Sequence, residues 1–217
     1  MATKPNQLGP SLQITPTCHL HAIAGSLVTD FVGDAMVNAA NEGCVSGFGI
    51  DEAINKAGGY ELIRSRRELG GCPTGQAKIT PSFGLERRVK FIVHAVGPVY
   101  RNNRRFLPFS GVGTSANDEH GWDEKDTLLT SAYREALQRA AEADCRTVGF
   151  CLLSAGVFRG ERPLEDIIGM AIEALVGAPE DVVKDLESVC LFAYMAEERD
   201  VMERIMVKRS EGLQERK

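Results

Sequence analysis

The sequence predicts an α/β protein in which helices cover both faces of a central, largely parallel sheet. Two observations indicate this fold class. First, short apolar runs typical of buried strands alternate along the chain with longer segments in which apolar residues have helical spacing. This alternation is the pattern of parallel strands joined by helices. Second, 43% of the 217 residues are hydrophobic and 25% are charged, which is ordinary for a single globular domain with a substantial core.

The predicted strands and helices follow one another along most of the chain. The candidate strands, which are short apolar runs, cover residues 20–24, 35–38, 91–96, 148–153 and 189–194, and an earlier extended piece lies near residues 12–15. The helices cover residues 51–69, 125–143, 164–176 and 197–207. At the first helix, Ile54 and Ala57 follow Ile50 at the spacing of one helical face. Pro163 suits the start of the third helix, because proline is tolerated in a first helical turn.

Three regions are distinguished along the chain. Residues 1–19 form an N-terminal extension that we expect to pack on the domain, and residues 20–207 form the domain itself. Residues 208–217 form a highly charged C-terminal tail, of a kind that commonly frays. Within the domain, residues 100–124 make a polar, glycine-punctuated loop. Connections longer than about 12–15 residues are usually functional or disordered.

Composition and charge argue against several function classes. The net charge of −5 gives no basic surface for nucleic acid, so we expect no nucleic-acid partner. A local group of arginines is interpreted as a solvated loop, with a phosphate or acidic partner as the alternative: Arg87, Arg88, Arg101, Arg104 and Arg105. No run of 18 apolar residues occurs, and the first residues lack a signal pattern. We therefore expect an intracellular protein, cytoplasmic or nuclear, with no membrane partner.

Six cysteines occur without a Cys-x-x-Cys pair. Several lie in apolar runs, as Cys151 and Cys190 do, so we interpret them as small buried hydrophobic residues with reduced thiols. A zinc site from Cys44, Cys72 and a histidine is the alternative, but ligand pairs at the required spacing are missing. We therefore expect neither a metal nor a cofactor.

Residues 35–59 carry the strongest indication of a binding site. A short apolar strand at Met36 and Val37 is followed by a polar, glycine-containing loop and then by the start of a helix near Asp51. In open α/β sheets such junctions lie at the carboxyl ends of strands, where ligands bind and where helix N–H groups are available to anions. The polar residues of this junction therefore indicate a nucleotide site.

Four segments of the chain together carry a family resemblance. They are Val37-Asn-Ala-Ala-Asn41, with Asp51 ten residues later and then Gly58-Gly59; Cys72-Pro-Thr-Gly-Gln-Ala-Lys-Ile-Thr80; Phe91-Ile-Val-His-Ala-Val-Gly-Pro98; and Ser154-Ala-Gly-Val-Phe158. In order and spacing they resemble the macrodomain family, the ADP-ribose-binding module, in its MacroD-type form. The resemblance implies a three-layer α/β/α sandwich around a mixed, largely parallel six-stranded sheet.

Asn41 and Asp51 are the candidate catalytic residues. A carboxamide both donates and accepts hydrogen bonds, as ribose hydroxyls require, and the resemblance makes Asn41 the contact to the distal ribose. It also makes Asp51 the carboxylate that orients or activates the water attacking the distal anomeric carbon. From the residues alone, each has a structural alternative. Asn41 would cap the loop, and Asp51 would cap the start of its helix.

The residues expected to contact ADP-ribose lie in loops that follow predicted strands. Glycine-containing loops and helix starts offer backbone N–H groups to a diphosphate, although the glycines could equally make simple turns. By the resemblance Phe158 lies against the distal ribose, and Phe192 or Tyr194 is the candidate to stack on adenine; each could instead belong to the core. The full set is Ser26, Leu27, Asn41, Gly47, Phe48, Gly49, Ile50, Ser154, Ala155, Gly156, Val157, Phe158, Phe192 and Tyr194.

Three positions depart from the family pattern. Ser26 stands where an aspartate normally accepts a hydrogen bond from the adenine amino group, and a hydroxyl offers no charge for that bond. Phe48 interrupts a loop that is usually glycine-rich, so we expect a locally different loop and a narrower pocket for the distal ribose. Arg159 replaces a glycine and either pairs with the diphosphate or faces solvent. Asn38 and His94 are interpreted as structural residues.

The resemblance implies a mono-ADP-ribosyl hydrolase that needs no metal. It would release mono-ADP-ribose from modified acidic side chains, or deacetylate O-acetyl-ADP-ribose. A non-catalytic ADP-ribose reader is the first alternative, and a phosphatase acting on ADP-ribose-1″-phosphate is the second. The presence of both Asn41 and Asp51 favours the hydrolase, whereas Phe48 and Ser26 favour the reader. We expect a monomer whose partners are ADP-ribose and ADP-ribosylated proteins.

Overall fold

A seven-stranded sheet forms the centre of the protein. The computed structural model describes residues 8–101 and 121–214, so most of the loop predicted at residues 100–124 lies outside the described residues, with Arg104 and Arg105. The strands are Leu8–Gln13 (β1), His19–Ala24 (β2), Ala35–Ala40 (β3), Ala77–Pro81 (β4), Phe91–Val96 (β5), Thr147–Cys151 (β6) and Ser188–Ala193 (β7). Their order across the sheet is β1-β2-β7-β6-β3-β5-β4.

The five inner strands run parallel, and the two edge strands are antiparallel to their neighbours. The prediction of a mixed, largely parallel sheet is therefore confirmed, but the expected count of six strands is wrong. The additional strand is β4, which pairs with β5 at one edge. Its five residues include a lysine and a proline and bury only Ala77 and Thr80. Such a strand has no apolar run to reveal it, and its proline is tolerated because the strand lies at an edge.

The helices of the described chain are Leu27–Asp30 (α1), Ile50–Glu68 (α2), Asp123–Glu142 (α3), Leu164–Val176 (α4), Glu180–Val183 (α5) and Ala196–Gln214 (α6). A 3-10 turn covers Phe83–Leu85. The four predicted helices correspond to α2, α3, α4 and α6. Helices α1 and α5 were not predicted, because four residues are too few for a periodic apolar pattern. Residues 208–214, within the predicted tail, continue α6.

Helices cover both faces of the sheet. On one face α4 packs between α3 and α6. On the other face α1 and α2 contact each other, and α2 lies on β3 and β4. The three-layer α/β/α architecture is thereby confirmed. The two helix layers differ in what they bury, because α4 buries apolar residues alone whereas α2 buries Asp51, Asn55 and Arg66 beside its apolar ones. No helix within residues 8–101 and 121–214 is long and apolar enough to cross a membrane.

Helix α2 reverses its direction at Gly59. The backbone angles of this residue are φ 76° and ψ −168°, a combination that is open almost only to glycine. In a straight α-helix the backbones of Asp51 and Arg66 would lie about 22 Å apart, farther than the two side chains can reach. Here their side chains are in contact. The interruption at Gly59 therefore folds the second half of α2 back towards its own start.

Candidate functional site

The predicted site residues come together at the carboxyl edge of the sheet, the side on which its parallel strands end. Strands β2, β7, β6 and β3 are adjacent and parallel, so their carboxyl ends meet at the same edge. Ser26 follows β2, Tyr194 follows β7, and two longer loops follow β3 and β6. We call residues 41–49 the first loop and residues 154–162 the second loop. This edge corresponds to the position at which open α/β sheets bind ligands.

Asn41 shapes the first loop in this structure. Its side-chain oxygen accepts a hydrogen bond from the backbone N–H of Cys44 at 3.2 Å, and its Nδ2 donates to the carbonyl of Ser46 at 2.6 Å. The side chain is half-buried. Both polar groups of the carboxamide therefore have partners within the loop, as the loop-cap interpretation requires, and a ribose hydroxyl would have to replace or share one of them.

Phe48 does not adopt the left-handed backbone conformation that would be costly for a residue other than glycine in a loop that is usually glycine-rich. The left-handed φ angles of this loop fall on Cys44 (54°) and Gly49 (66°), and Phe48 has none. Its side chain is 89% exposed. The ring thus projects from the loop into solvent, and its effect on the pocket for the distal ribose stays a prediction.

Asp51 lies in the first turn of α2 and is only 2% exposed. Its Oδ1 accepts two hydrogen bonds, from Nδ2 of Asn38 at 2.5 Å and from a terminal guanidinium nitrogen of Arg66 at 2.6 Å. Its Oδ2 has no donor among the described residues. Gly47 covers this second oxygen, since a Cβ at position 47 would stand 2.9 Å from it. One oxygen of Asp51 is therefore fixed, and the other is left available beneath the first loop.

Arg66 is a site residue that sequence reasoning missed. Its guanidinium is fully buried and donates to Asp51, to the carbonyl of Cys44 at 2.9 Å and to Oδ1 of Asn55 at 2.5 Å. Arg66 lies between Arg64 and Arg67 in the sequence, and none of the three was singled out as a candidate. The available signal was its spacing, because Arg66 follows the buried Leu62 by four residues and so falls on the apolar side of the helix.

A buried hydrogen-bonded chain continues from Asp51 into the sheet. Asn38 donates through Nδ2 to Nδ1 of His94 at 3.2 Å, and Nε2 of His94 lies 3.0 Å from the Thr80 hydroxyl. Burial, with a smaller effect of Arg66, lowers the pKa of His94 well below its usual value, so the ring is neutral. Since Nδ1 accepts from Asn38, Nε2–H donates to Thr80. His94 is thus an interior residue that supports Asn38.

The second loop is fixed to the segment that follows β5. The Ser154 hydroxyl donates to the carbonyl of Pro98 at 2.8 Å, and the carbonyl of Phe158 accepts from the N–H of Tyr100 at 2.7 Å. Phe158 is half-buried, and Val157 is exposed. Ala155 is buried and Gly156 is exposed beside them. This arrangement brings the backbone of the predicted second loop to the same edge as the first.

Arg162 fixes the far end of the second loop. Its guanidinium pairs with Asp126 at 2.6 Å and with Asp166 at 2.7 Å, and lies 4.7 Å from the ring centroid of Trp122. Arg159, the residue that replaces a glycine, donates to the carbonyl of Arg162 at 3.0 Å. Arg159 therefore stabilises the loop in this structure.

The two aromatic candidates for adenine stacking occupy different environments. Phe192 is 3% exposed and meets Phe31 edge to face, with 6.0 Å between ring centroids, so the structure corrects its assignment to the ligand surface: it is a core residue. Tyr194 is 76% exposed. The cause is strand geometry, since Phe192 lies inside β7 whereas Tyr194 follows its end. Of these two residues, Tyr194 is therefore the one whose aromatic face a ligand can reach.

Three other predicted contacts are constrained by burial. The Leu27 side chain is buried in the core, so any contact from Leu27 to a ligand would have to come from its backbone. Ile50 is half-buried and packs on the core at the start of α2. Ser26 is half-buried, and its N–H donates to the Asp30 carboxylate at 2.9 Å. Backbone groups therefore dominate what this part of the site presents.

The six cysteines are free and buried, which confirms their interpretation as interior residues. Burial raises the pKa of Cys18, Cys72 and Cys145 to about 11. In the described part of the chain, no three His, Cys, Asp or Glu side chains are placed to hold a metal ion. A cavity of about 660 Å³ opens beside α3, α5 and the starts of β6 and β7. It lies at the opposite edge of the sheet, and no predicted site residue lines it.

The fold and the site define an α/β/α domain whose predicted binding residues gather at the carboxyl edge of its parallel strands. The chain belongs to the macrodomain family. The sequence model of the Macro domain matches residues 37–166. A macro domain-containing protein of Chlorobaculum tepidum is 34% identical over 187 residues, which are 86% of this chain and 95% of that protein.

Two further relatives are informative about the form of the domain. The ADP-ribose glycohydrolase MACROD2 of Xenopus laevis is 38% identical over 131 residues, 60% of this chain and 27% of that protein, and this similarity supports the MacroD-type assignment. The crystal structure of a Trypanosoma brucei macrodomain in complex with ADP-ribose is 28% identical, with a TM-score of 0.68. That match covers 88% of this chain and 69% of the other.

Proposed function

We propose that this protein binds ADP-ribose at the carboxyl edge of the sheet and hydrolyses the ester between mono-ADP-ribose and an acidic side chain. Deacetylation of O-acetyl-ADP-ribose is related chemistry at the same site. The observation that carries the proposal is the state of Asp51, with one oxygen fixed by Asn38 and Arg66 and the other left without a donor among the described residues. A MACROD2 relative and an ADP-ribose-bound structural relative support it.

Binding rests on backbone groups of the two loops. Helix α2 begins directly after Gly49, at the end of the first loop, and its first turn offers backbone N–H groups and the positive end of the helix dipole to an anion. The second loop follows β6, which is the parallel neighbour of β3, so both loops leave the sheet at the same edge. Together they provide donors for a diphosphate, and the exposed ring of Tyr194 provides a stacking surface for adenine.

Hydrolysis needs one carboxylate and one water. Asp51 Oδ2 accepts a proton from a water molecule whose oxygen attacks the distal anomeric carbon, while the bond from that carbon to the ester oxygen breaks. The leaving group is itself a carboxylate, stable at neutral pH, so no protein acid has to protonate it. Because Gly47 covers Oδ2, the first loop has to shift for water to reach it.

A non-catalytic reader is the second candidate, and specific observations favour it. Asp51 is buried beneath Gly47, and the Asn41 carboxamide is occupied within the first loop. If the loop never opens, ADP-ribose can bind through the backbone and Tyr194 without any reaction at Asp51. The two candidates share one cleft and differ in whether the first loop gives water access to the carboxylate.

The test combines turnover with binding on the same preparation. A protein mono-ADP-ribosylated on glutamate or aspartate is incubated with this protein, and release of labelled ADP-ribose is followed beside calorimetric titration with ADP-ribose and ADP. We expect release, together with tighter binding of ADP-ribose than of ADP. Binding without release establishes the reader. Parallel assays with O-acetyl-ADP-ribose and ADP-ribose-1″-phosphate identify the other reactions. If the protein shows no binding and no release, both candidates are refuted.

A further inference from the structure

We infer that Arg66 is a positioning residue of this site, which aims the Asp51 carboxylate and holds the first loop over it. The inference rests on the proposed function for its catalytic part. Arg66 is fully buried, so it cannot touch a ligand and must act through other residues. It reaches Asp51 only because α2 folds back at Gly59.

The guanidinium of Arg66 holds the middle of the first loop. Nε donates to the carbonyl of Cys44, a residue held at φ 54°. One terminal nitrogen donates to Oδ1 of Asn55, and Nδ2 of Asn55 donates in turn to the carbonyl of Val45 at 3.0 Å. Arg66 therefore fixes two successive residues of the loop, one directly and one through Asn55. A left-handed φ at a non-glycine residue persists only when its surroundings impose it.

The remaining terminal nitrogen acts on the carboxylate. It donates to Oδ1 of Asp51, the oxygen that also accepts from Asn38. Two donors on one oxygen leave the rotation of the carboxyl group little freedom. They direct Oδ2 towards Gly47 and the loop. The same side chain thus sets the orientation of the reacting group and the position of the loop that covers it.

A planar guanidinium is suited to this task and an ammonium is not. The three bonds diverge from Nε and the two terminal nitrogens in a fixed fork. A lysine at position 66 would keep the positive charge beside Asp51 but lose the fixed directions. A lysine substitution therefore separates positioning from charge, and a glutamine substitution removes the charge while keeping some hydrogen bonding.

The experiment compares Arg66→Lys and Arg66→Gln with Arg64→Gln as a matched control. Arg64 lies on the same helix and pairs with Glu61 at the surface. Each variant is examined by thermal melting, amide hydrogen exchange, calorimetric titration with ADP-ribose and single-turnover release of ADP-ribose from a modified protein. We expect folded Arg66 variants to exchange faster over residues 42–51 than the wild type, with β6 and β7 unchanged. Release should slow by about 100-fold, as for a misplaced reacting group, and Arg64→Gln should match the wild type.

The outcomes separate the inference from the proposed function. The inference is overturned if folded Arg66→Lys keeps two wild-type properties: the rate of amide hydrogen exchange over residues 42–51 and the rate of ADP-ribose release. A uniform rise of exchange across the sheet, with release per folded molecule unchanged, also overturns it, because it shows a purely structural ion pair. If the wild type itself releases no ADP-ribose, the proposed function is wrong. The exchange of residues 42–51 in the two Arg66 variants then still decides whether Arg66 holds the loop.

Discussion

The two loops of the site are both fixed by an arginine, but the two arginines lie in different surroundings. Arg66 holds the first loop from inside the domain, fully buried with the nearly buried Asp51. Arg162 holds the second loop from the surface, where its side chain is 17% exposed and its partners Asp126 and Asp166 are more exposed still. A buried ion pair that loses one partner leaves an unpaired charge in the interior, whereas a pair at the surface is replaced by water.

The difference in anchoring matches a difference in the groups that the two loops contribute to the site. The first loop covers the carboxylate to which we assign the chemistry, and its anchor continues through Asn38 and His94 into the sheet. The second loop offers backbone groups and the Phe158 ring, and its anchor ends at the surface of α3 and α4. The arginine anchor of the first loop is thus coupled to the stability of the domain, and the arginine anchor of the second loop is coupled to it only weakly.

The largest expected effect is that of Arg66→Met, which leaves the Asp51 charge buried without its cationic partner. We expect a loss of about 3–5 kcal/mol in the free energy of unfolding, measured by urea denaturation. The double variant with Asp51→Asn should recover part of this loss, since it removes the unpaired charge. A loss below about 1 kcal/mol would place Arg66 in the same class as a surface pair and remove the contrast between the loops.

Gly59→Ala tests whether the reversal of α2 holds the buried pair together. Because the φ and ψ of Gly59 are open almost only to glycine, alanine there should cost about 1–3 kcal/mol by the same denaturation measurement. Gly169 in α4 is the matched control, since a Cβ there meets nothing within 4 Å and its backbone is not left-handed. Gly169→Ala should stabilise the protein by about 0.5–1 kcal/mol. Equal effects at both positions would refute the account of the reversal.

The interior anchor of the first loop should also make the free energy of unfolding depend on pH. The pKa of His94 is lowered in the folded protein, so the unfolded state binds a proton at higher pH than the native state does. Stability contributed by neutral His94 is therefore present above about pH 6.5 and is lost as the pH falls below that value. The free energy of unfolding should change by at most about 1.4 kcal/mol per pH unit in this range. Denaturation at pH 7 and pH 5 should show a smaller difference for His94→Gln than for the wild type.

The smallest effect is expected at the second loop. Arg162→Met removes a partly exposed pair and a contact with Trp122, so the free energy of unfolding should fall by only about 1 kcal/mol. Calorimetry should show ADP-ribose affinity reduced by less than about tenfold, with the single-turnover rate of bound substrate unchanged. A destabilisation as large as that of Arg66→Met would show that the two loops are anchored alike.

Local patterns in the sequence were sufficient for the main elements of the site. The apolar strand, the glycine-containing loop and the helix start around Asp51 placed the first loop at the carboxyl edge, because parallel strands bring such junctions together. The role of Arg66 could not be predicted, since it depends on a reversal at Gly59 that joins two ends of one helix. Strand β4 was missed because an edge strand needs little apolar burial, and Phe192 differed from Tyr194 only through where β7 ends.

The central claim is that the Asp51 carboxylate performs the hydrolysis, and Asp51→Asn tests it most directly. The substitution keeps the shape of the side chain and removes its ability to accept a proton from water. Single-turnover release of ADP-ribose from a protein modified on an acidic side chain should fall by on the order of 100-fold, while calorimetric affinity for ADP-ribose stays within about tenfold of the wild type. Release at the wild-type rate by folded Asp51→Asn would contradict the claim and assign the chemistry to another group.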